Sequence, residues 1–445
     1  METIKIKKGL DVPLGGAAER FILDMRDTGR YAVKPTDVVG FTPRLLVAEG
    51  DRVAAGQPLM ADKNDPRITL PSPVDGTVEA IVRGEKRRLE AVVVESGKWK
   101  VEKEASATGN LSTFNFQLST SSPVWWMLRE RPFGTIANPD HRPKGIFVSL
   151  RDSNPLAPDL DYVLRGREHE FEAGTAALEA FAPVHLVRAE GPHPAGNIGT
   201  IVAALDPINK GECIWHVGAQ DVANIGRWCL TGAYRPERVI AVGGPAAKAP
   251  HYYRLLCGAG LKQITDAQLM DPDYPLPTTH YPLPTRIISG SPLSGTSVAP
   301  DGFLGMYDQQ VCFIEEGDRY DFMGWLMPGL RKFSFSKTFL SGIIGTIGTI
   351  GTIVPIRYNF NTNLHGSVRP FLFTGQFERV FPMDIYPLQL IKACIVGDVE
   401  LQEKLGIYEV EPEDFALCEF IDPSKTEIQT IIREALEVLR KEAIA

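Results

Sequence analysis

Residues 61–78 read ADKNDPRITLPSPVDGTV, in which polar turns alternate with short apolar runs. The same rhythm extends in both directions, over the segments GDRV, GQPLM, RITL, GTVEAIV and LEAVVVES. Runs of alternating Val, Ile and Leu that are separated by Asp-Pro and Asp-Gly turns are typical of short β-strands. The stretch therefore predicts a small all-β domain, a sandwich or a barrel, that ends near Lys100.

Lys63 lies in the first of these turns, ten residues before the segment PVDGTV. This layout resembles the biotinyl and lipoyl carrier domains, in which a hairpin lysine carries the cofactor. Carrier lysines usually stand between small residues or methionines, whereas Asn64, Asp65 and Pro66 follow Lys63. We therefore predict a carrier-type β domain with an unmodified lysine. The alternative is a stand-alone biotinyl or lipoyl carrier component that uses Lys63 as its acylated arm.

The composition excludes several classes of protein. A chain of 445 residues is too long for one core, and its net charge of −8 without a long basic run argues against nucleic acid as the main partner. The start METIKIKKG carries no signal peptide, so we expect a cytoplasmic protein. The apolar run at 343–354 is too short to span a membrane, which needs about 20 residues. The six cysteines form no C-x-x-C pair, which argues against clustered zinc or iron–sulfur ligation.

The middle of the chain has a different pattern. The apolar segments GIFVSL, APVHLVRA, ECIWHVG and RVIAVGG alternate with helical segments at 168–181 and 219–231, which predicts a mostly parallel sheet covered on both faces. A further helix is predicted around 124–131. After a proline-rich linker at 271–285, a β-rich module ends near Gly317, and a helical part follows from Met383. The repeat IGTIGTIGTI at 344–353 predicts a β-hairpin arm or a loop expansion.

The loop GPHPAGNIGT at 191–200 follows an apolar strand, which is where α/β sheets bind phosphates. Its glycine spacing is neither that of a dinucleotide-binding loop nor that of a Walker loop, and its two prolines remove amide donors. We favour a structural turn. The alternatives are a ligand loop, with Gly191, His193 and Gly196 as candidate contacts, and an independent nucleotide-dependent dehydrogenase built on it.

The segment WWMLRERPF at 125–133 concentrates aromatic and guanidinium groups. Such groups suit an aromatic ligand such as a quinone, by stacking and by donation to carbonyl oxygens. The alternative is a helix with Trp125 and Leu128 in the core and its arginines in solvent. We find no catalytic triad and no metal-binding sequence, so no catalytic or metal residue is predicted. The quinone-contact candidates are Trp126, Arg129, Arg131 and Phe133.

Several segments together resemble the A subunit of the sodium-translocating NADH:quinone oxidoreductases. In chain order they are KIKKGLDVPLGG, GDRVAAGQPLMADKN, SPVDGTVEAIVRGEKR, RERPF, EGPHPAGNIGT, RIISGSPLSGT, FMGWLMPGLRKFS and FERVFPMDIYP. That family is related to the C subunit of the Rnf complex and to the NADH-binding flavoprotein subunit of respiratory complex I. The resemblance runs through nearly the whole chain, which makes it more specific than any single loop.

The resemblance implies a peripheral subunit on the cytoplasmic face of the bacterial inner membrane, in a translocase with five other subunits. That complex oxidises NADH, reduces ubiquinone to ubiquinol through flavins and iron–sulfur centres, and exports sodium ions. Because this chain lacks a glycine-rich flavin loop and a cysteine cluster, we expect it to bind no cofactor and to act as a structural, quinone-proximal subunit. We expect no catalysis by the isolated chain and no contact with nucleic acid.

The pattern and the resemblance together predict a multidomain α/β and α+β chain. A biotinyl/lipoyl-like β-sandwich with an N-terminal arm occupies residues 1–108, and a Rossmann-like parallel-sheet domain occupies 109–270. A β-grasp module follows at 271–340, and the C-terminal part at 341–445 is mainly helical.

Overall fold

The computed structural model describes residues 1–97, 117–269, 284–318, 323, 327–329, 332–336, 339, 357–371 and 375–444. The repeat at 344–353 and most of the linker at 271–285 lie outside these residues, so the predictions made for them stay predictions. Two short strands, β1 (Glu2–Lys5) and β2 (Glu19–Asp24), open the chain, and both join sheets that are built mainly from later segments.

The predicted β domain is confirmed as a pair of antiparallel sheets. The four-stranded sheet has the order β3-β9-β8-β5 and the three-stranded sheet has the order β4-β6-β7. The strands are β3 (Arg30–Val33), β4 (Pro43–Leu45), β5 (Arg52–Val53), β6 (Pro58–Asp62), β7 (Thr69–Pro71), β8 (Gly76–Arg83) and β9 (Leu89–Ser96). Val92 and Val94 of β9 pack into the central core, whereas Val93 faces Phe303 of a later segment. Both faces of this sheet are therefore covered.

The second sheet confirms the predicted Rossmann-like arrangement, with the order β1-β13-β12-β14-β10-β11. The first four strands in that order are parallel, and the last two pair antiparallel at the edge. Their bounds are β10 (Arg129–Arg131), β11 (Thr135–Ile136), β12 (Ile146–Ser149), β13 (Val184–Glu190) and β14 (Ile214–His216). Helices α1 (Leu160–Val163), α2 (Glu168–Leu178), α3 (Ile198–Leu205) and α4 (Ala219–Thr231) accompany this sheet.

Two glycines allow α2 and α4 to lie in direct backbone contact on one face of that sheet. A Cβ atom at Gly174 would lie 1.9 Å from the Val222 carbonyl oxygen, and one at Gly226 would lie 1.8 Å from the Glu170 carbonyl oxygen. Any larger residue would push the helices apart, because real Cβ contacts are never that short. Helix α3 covers the opposite face, where Ile201 packs with buried residues of β12 and β13.

The helix predicted around 124–131 is wrong beyond its first turn. Trp125–Met127 form a short 3-10 turn, and the chain then enters β10, which pairs with both β14 and β11. The physical reason is tertiary. Both indole rings are buried, and Trp125 packs edge-on against Trp215 with ring centroids 5.7 Å apart. These contacts hold the chain extended after the turn, against its helical pattern.

A third sheet mixes parallel and antiparallel strands in the order β18-β17-β19-β15-β16-β2. Its later strands are β15 (Glu237–Gly243), β16 (His251–Leu256), β17 (Thr285–Ser289), β18 (Thr296–Val298) and β19 (Gln310–Glu315), and α5 spans Lys262–Gln268. The assignment of RVIAVGG to the Rossmann-like sheet is therefore wrong, because these residues form β15. Every residue of β15 is buried, and a fully buried strand looks the same in any sheet with two covered faces. The four predicted domain ranges stay predictions.

The C-terminal part is helical, as predicted, and has its own core. It contains α6 (Phe377–Val380), α7 (Pro387–Val396), α8 (Val399–Lys404), α9 (Ala416–Ile421) and α10 (Ile428–Ile444). Ile428, Ile432 and Leu436 of α10 lie at helical spacing and are buried in this core. Among the described residues, every helix is too short or too polar to cross a bilayer.

Candidate functional site

A buried ionic cluster joins the edge of the Rossmann-like sheet to the C-terminal part. We call it the Arg131 cluster, and its members are Arg131, Glu411, Glu413 and Asp414. Arg131 ends β10, and the acids belong to a 3-10 turn at Pro412–Phe415 and its N-cap. The Nη2 atom of Arg131 lies 2.9 Å from Oδ2 of Asp414 and 3.4 Å from Oε2 of Glu411. The Arg131 and Asp414 side chains are each only 1% exposed, so this pairing is shielded from solvent.

The cluster holds more negative than positive charge. Burial alone would lower the pKa of Arg131, but the neighbouring carboxylates outweigh it and raise that pKa above its ordinary value. Burial also raises the pKa of Asp414, in spite of the adjacent guanidinium. The Glu413 side chain keeps 40% of its surface, so we regard Asp414 as the carboxylate that burial affects most. The arginine therefore opposes the effect of burial on the pKa of Asp414 without cancelling it.

Asp414 also packs against the N-terminus of α3. A Cβ atom at Gly199, in the first turn of α3, would lie only 2.3 Å from Oδ2 of Asp414, so the carboxylate packs directly on that turn. The side chain of Asn197, at the N-cap position, makes no cap hydrogen bond. Helix N-termini at this place in an α/β sheet are anion-binding sites because their amide groups point outward. The Asp414 carboxylate lies beside this turn, but its Oδ2 accepts from Arg131 and the Glu411 N–H and its Oδ1 has no hydrogen-bond partner among the described residues, so it does not cap the helix amides.

The predicted ligand loop at 191–200 is packed against the N-terminal arm and the loop after β12. His193 is 1% exposed, and its ring Nδ1 lies 3.2 Å from the Ser153 hydroxyl. Burial lowers the pKa of His193 to about 4, which keeps the imidazole neutral. The backbone N–H of Gly196 donates to the same hydroxyl at 2.8 Å. Gly191 has a φ of 133° and faces the Ile6 carbonyl, where a Cβ would lie 2.1 Å from the oxygen. The three candidates share one turn, and each is tightly packed.

The four quinone-contact candidates separate into two pairs. The indole Nε1 of Trp126 donates to the Tyr234 hydroxyl at 3.1 Å, and its ring lies 5.5 Å from that of Tyr307. The Arg129 guanidinium also lies over the Tyr307 ring, 4.6 Å from its centroid. Phe133 instead meets Tyr408 of the C-terminal part edge-on, with centroids 6.4 Å apart. The alternative with solvated arginines is wrong for Arg131, which is buried in its cluster.

Of two cavities in the described residues, only one is lined by a quinone-contact candidate. The one beside Trp126 has a volume of about 10 Å³, room for one water molecule and too small for an aromatic ring. The wider one, about 260 Å³, lies beyond the C-terminal end of β12, and its charged lining includes the ion pair of Asp161 and Arg188. Sequence reasoning missed this groove, although ligands of α/β sheets bind at such strand ends. It also missed the acids of the Arg131 cluster, for which the run EVEPED at 409–414 was the only signal.

Lys63 follows β6 directly and lies exposed in the turn to β7, as a carrier lysine does. Ion pairs connect this turn to another segment of the chain. The Arg67 guanidinium pairs with Asp65 at 2.7 Å and with Asp140, in the loop after β11, at 2.6 Å. The turn therefore rests against the second domain, which differs from the free hairpin of a swinging arm.

Comparison with known proteins identifies relatives over the whole chain. A family model described as the NqrA N-terminal barrel-sandwich hybrid domain matches residues 4–97, and one described as the NqrA second alpha/beta domain matches residues 116–190 and 180–234. A Rhodopirellula baltica protein, named as the A subunit of a Na(+)-translocating NADH-quinone reductase, is 36% identical, with 98% of each chain covered. Proteins of the same name from Pasteurella multocida and Pseudomonas aeruginosa are 35% and 36% identical over 99% of this chain and 100% of theirs.

Solved structures add little to this comparison. The air-oxidised form of an NAD+-reducing [NiFe]-hydrogenase aligns with a TM-score of 0.32 at 11% identity, covering 68% of this chain and 55% of that one. So low a score carries no argument about fold or function.

Proposed function

The chain belongs to the NqrA family, the A subunits of the Na(+)-translocating NADH-quinone reductases, and from that premise we propose that it is a peripheral, cytoplasmic-face subunit of such a complex without a redox centre of its own. The complex would oxidise NADH, reduce ubiquinone and export sodium ions, with flavins and iron–sulfur centres held by five other subunits. This chain would organise the complex near the site where quinone reacts, and would not catalyse electron transfer in isolation.

The observation that carries the absence of a bound nucleotide is the contact between Asp414 and the first turn of α3. The Asp414 carboxylate fills the space beside that turn, since its Oδ2 lies 2.3 Å from the position of a Cβ at Gly199. A phosphate would also meet a negative charge, because Asp414 and Glu411 already share Arg131. Two like charges at one buried site are strongly unfavourable. The close packing and the negative charge beside the first turn of α3 therefore disfavour a cofactor phosphate there.

The cysteines support the same conclusion for iron–sulfur centres. All six are free thiols in the described residues. Cys229 and Cys312 are buried in separate apolar clusters, so these two thiols do not come together as cluster ligands. Within the described part of the chain, no group of three or more cysteines lies close enough to share an ion.

Quinone proximity is proposed on the groups around β10. Arg129 and Phe133 keep part of their surface, whereas Trp126 and Arg131 are buried. A quinone headgroup carried by a neighbouring membrane subunit would therefore meet Arg129 or Phe133, which lie in different neighbourhoods. Trp126 would hold Arg129 in place, because both contact Tyr307. Arg131 would hold Phe133 in place, because both contact the C-terminal part.

The experiment is purification of the complex from a strain that carries a tagged copy of this chain and from a strain that lacks it. We expect the chain to co-purify with sodium-dependent NADH:quinone reductase activity, and we expect that activity to disappear without it. The purified chain alone should show no flavin absorbance and no tight NADH binding. A flavin bound to the isolated chain would refute the proposal that it has no redox centre.

The quinone contact has a separate test. Photolabelling of the complex with a quinone analogue should mark the peptide that contains Phe133, and the Phe133→Ala and Arg129→Met variants should reduce that labelling. His185→Ala is a control on the far side of the parallel strands, where its imidazole pairs with Glu2. Labelling that the Phe133 and Arg129 variants leave unchanged would remove both residues from the quinone site.

A second candidate function, a biotinyl or lipoyl carrier that uses Lys63, is favoured by one observation. The lysine is exposed in the hairpin turn between two paired strands. The ion pairs of Arg67 with Asp65 and Asp140 count against it, because they hold the turn on the second domain. The intact mass of the native chain distinguishes the two functions.

A further inference from the structure

Three side chains with different ligand atoms meet on the face of the Rossmann-like sheet that lies away from α3. Glu130 lies in β10, His141 in the loop between β11 and β12, and Cys213 just before β14. A carboxylate oxygen, an imidazole nitrogen and the Sγ atom of these residues all lie within 4.8 Å of one another. None of the three belongs to the Arg131 cluster or to the quinone-contact candidates. We call this group the Glu130 site.

The sheet register explains why two of the three meet. Glu130 is the direct cross-strand partner of Trp215, so their side chains share one face. Cys213 precedes Trp215 by two residues and therefore points to that same face, because side chains alternate along a strand. The third group is brought in by a turn, in which the His141 backbone N–H donates to the Asn138 carbonyl at 3.1 Å.

Two hydrogen bonds to Oε2 orient the Glu130 carboxylate and leave Oε1 directed at His141. Oε2 of Glu130 accepts from the Trp215 indole N–H at 3.0 Å and from the Asn138 backbone N–H at 3.1 Å. Oε1 faces the ring Nδ1 of His141 at 2.8 Å. Such support of the remote oxygen is what orients ligands at metal sites. Glu130 is 6% exposed, whereas the His141 side chain is 51% exposed, so an ion can enter from the side of the histidine.

We propose that the Glu130 site binds a divalent cation of the zinc class through Oε1 of Glu130, Nδ1 of His141 and Sγ of Cys213. Zinc takes thiolate, imidazole and carboxylate ligands, with Zn–S of about 2.3 Å and Zn–N of about 2.1 Å. In a tetrahedral ion these lengths place ligand atoms roughly 3–4 Å apart, so the present spacing needs only small side-chain shifts. Soft sulfur together with nitrogen excludes magnesium and calcium as the preferred ions. Water or a partner's side chain would complete the fourth position.

The bound ion would add a link between parts of the chain that already touch through strand pairing and the hydrogen bonds of Glu130. It would link β10 and the start of β14 to the loop after β11. The same loop carries Asp140, whose carboxylate pairs with Arg67 of the Lys63 turn at 2.6 Å. The ion would therefore make the loop after β11, which contacts the carrier-type domain, more rigid. This inference is independent of whether the chain holds a redox centre.

The test is a titration of the full-length, chelator-treated chain with Co²⁺, followed by displacement with Zn²⁺. We expect one ion per chain, a sulfur-to-cobalt charge-transfer band in the near ultraviolet, and loss of that band when Zn²⁺ is added. The Cys213→Ser variant should lose the band. The His141→Ala and Glu130→Gln variants should bind at least about tenfold more weakly.

Two residues supply matched controls. His185 and Glu2 form another Nδ1–Oε1 contact of 2.8 Å, so His185→Ala removes a similar pair outside the site. Cys394 is another partly exposed thiol, in α7, and Cys394→Ser should leave the band unchanged. Metal-free variants are compared by circular dichroism to show that they fold. Absence of the band in the native chain, its survival in Cys213→Ser, an equal loss in His185→Ala, or a Kd weaker than roughly 1 mM would each overturn the proposal.

Discussion

Replacing Arg131 by Met should destabilise the chain severely, because it leaves the buried Asp414 carboxylate without its paired cation. Arg433 still faces Glu411 and Glu413. The Asp414 side chain is 1% exposed and that of Glu411 is 7% exposed. Removing one partner of a buried ion pair costs about 3–5 kcal/mol. Methionine keeps much of the aliphatic volume, so little of this loss comes from an empty space. We expect a loss of about 4 kcal/mol at neutral pH.

The loss should depend on pH in a defined direction. Burial already raises the pKa of Asp414, and without the guanidinium that pKa would rise further above its value in the unfolded chain. Folding of the variant would then take up protons, so its stability should increase as the pH falls through the raised pKa. The difference between Arg131→Met and the native chain should therefore be largest above that pKa and should shrink in acid.

Urea unfolding followed by far-ultraviolet circular dichroism measures this loss in the transition of the C-terminal helices. Arg129→Met is the matched control, since this arginine lies over Tyr307 and makes a cation–π contact worth about 1 kcal/mol. Adding Asp414→Asn to Arg131→Met should recover part of the loss, because it removes one unpaired charge. A loss below about 1 kcal/mol, or one equal to that of Arg129→Met, would refute the reasoning about the cluster.

Three further perturbations test other parts of the structure. Gly199→Ala should destabilise by about 1–3 kcal/mol in thermal unfolding, because its Cβ would lie 2.3 Å from the Asp414 carboxylate; Gly97→Ala, where the nearest atom is 3.8 Å away, is the neutral control. Four arginines outweigh the burial of Glu237 and lower its pKa from 4.5 to about 2, so this carboxylate contributes stability above pH 4.5 that is lost as the pH falls towards 2. Glu237→Gln should remove on the order of 2 kcal/mol of the difference in stability between pH 7 and pH 3 in urea unfolding, because the rest of the loss occurs below pH 3, and an unchanged dependence would contradict it. The intact mass of the native chain should equal its sequence mass of 49.0 kDa, and a biotinyl or lipoyl increment on the Lys63 peptide would instead establish the carrier function.

The parts of the fold that sequence predicts well are those whose signal is local. Alternating apolar residues and Asp-Gly turns predict the β-sandwich, because most of its strands pair with a neighbour in the chain or one close to it, the exception being the pairing of β3 with β9. Strand β15 was misassigned because all its residues are buried, so its pattern carries no information about which sheet it joins. The helix prediction fails after Trp125–Met127 because the aromatic contacts that stabilise this turn come from distant segments.

The candidate sites were less predictable for the same reason. Arg131 and Asp414 are separated by 283 positions, and neither residue marks the other in the sequence. The ligands of the Glu130 site are also dispersed, whereas metal sites are recognisable in a sequence mainly by closely spaced cysteines and histidines. Conversely, the aromatic and arginine segment at 125–133 looked like one site, and the structure divides it between two neighbourhoods.

The two opening strands have a consequence for how the chain is made. Strand β1 pairs with β13, and β2 pairs with β16, so the earliest segments synthesised complete sheets whose other strands emerge much later. At about 5–20 residues per second, a ribosome needs roughly 10–40 s after β1 to deliver β13. The antiparallel strands β3–β9 find their partners sooner. We therefore expect the carrier-type domain to form first on the ribosome, with β1 and β2 waiting unpaired beside it until the middle of the chain arrives.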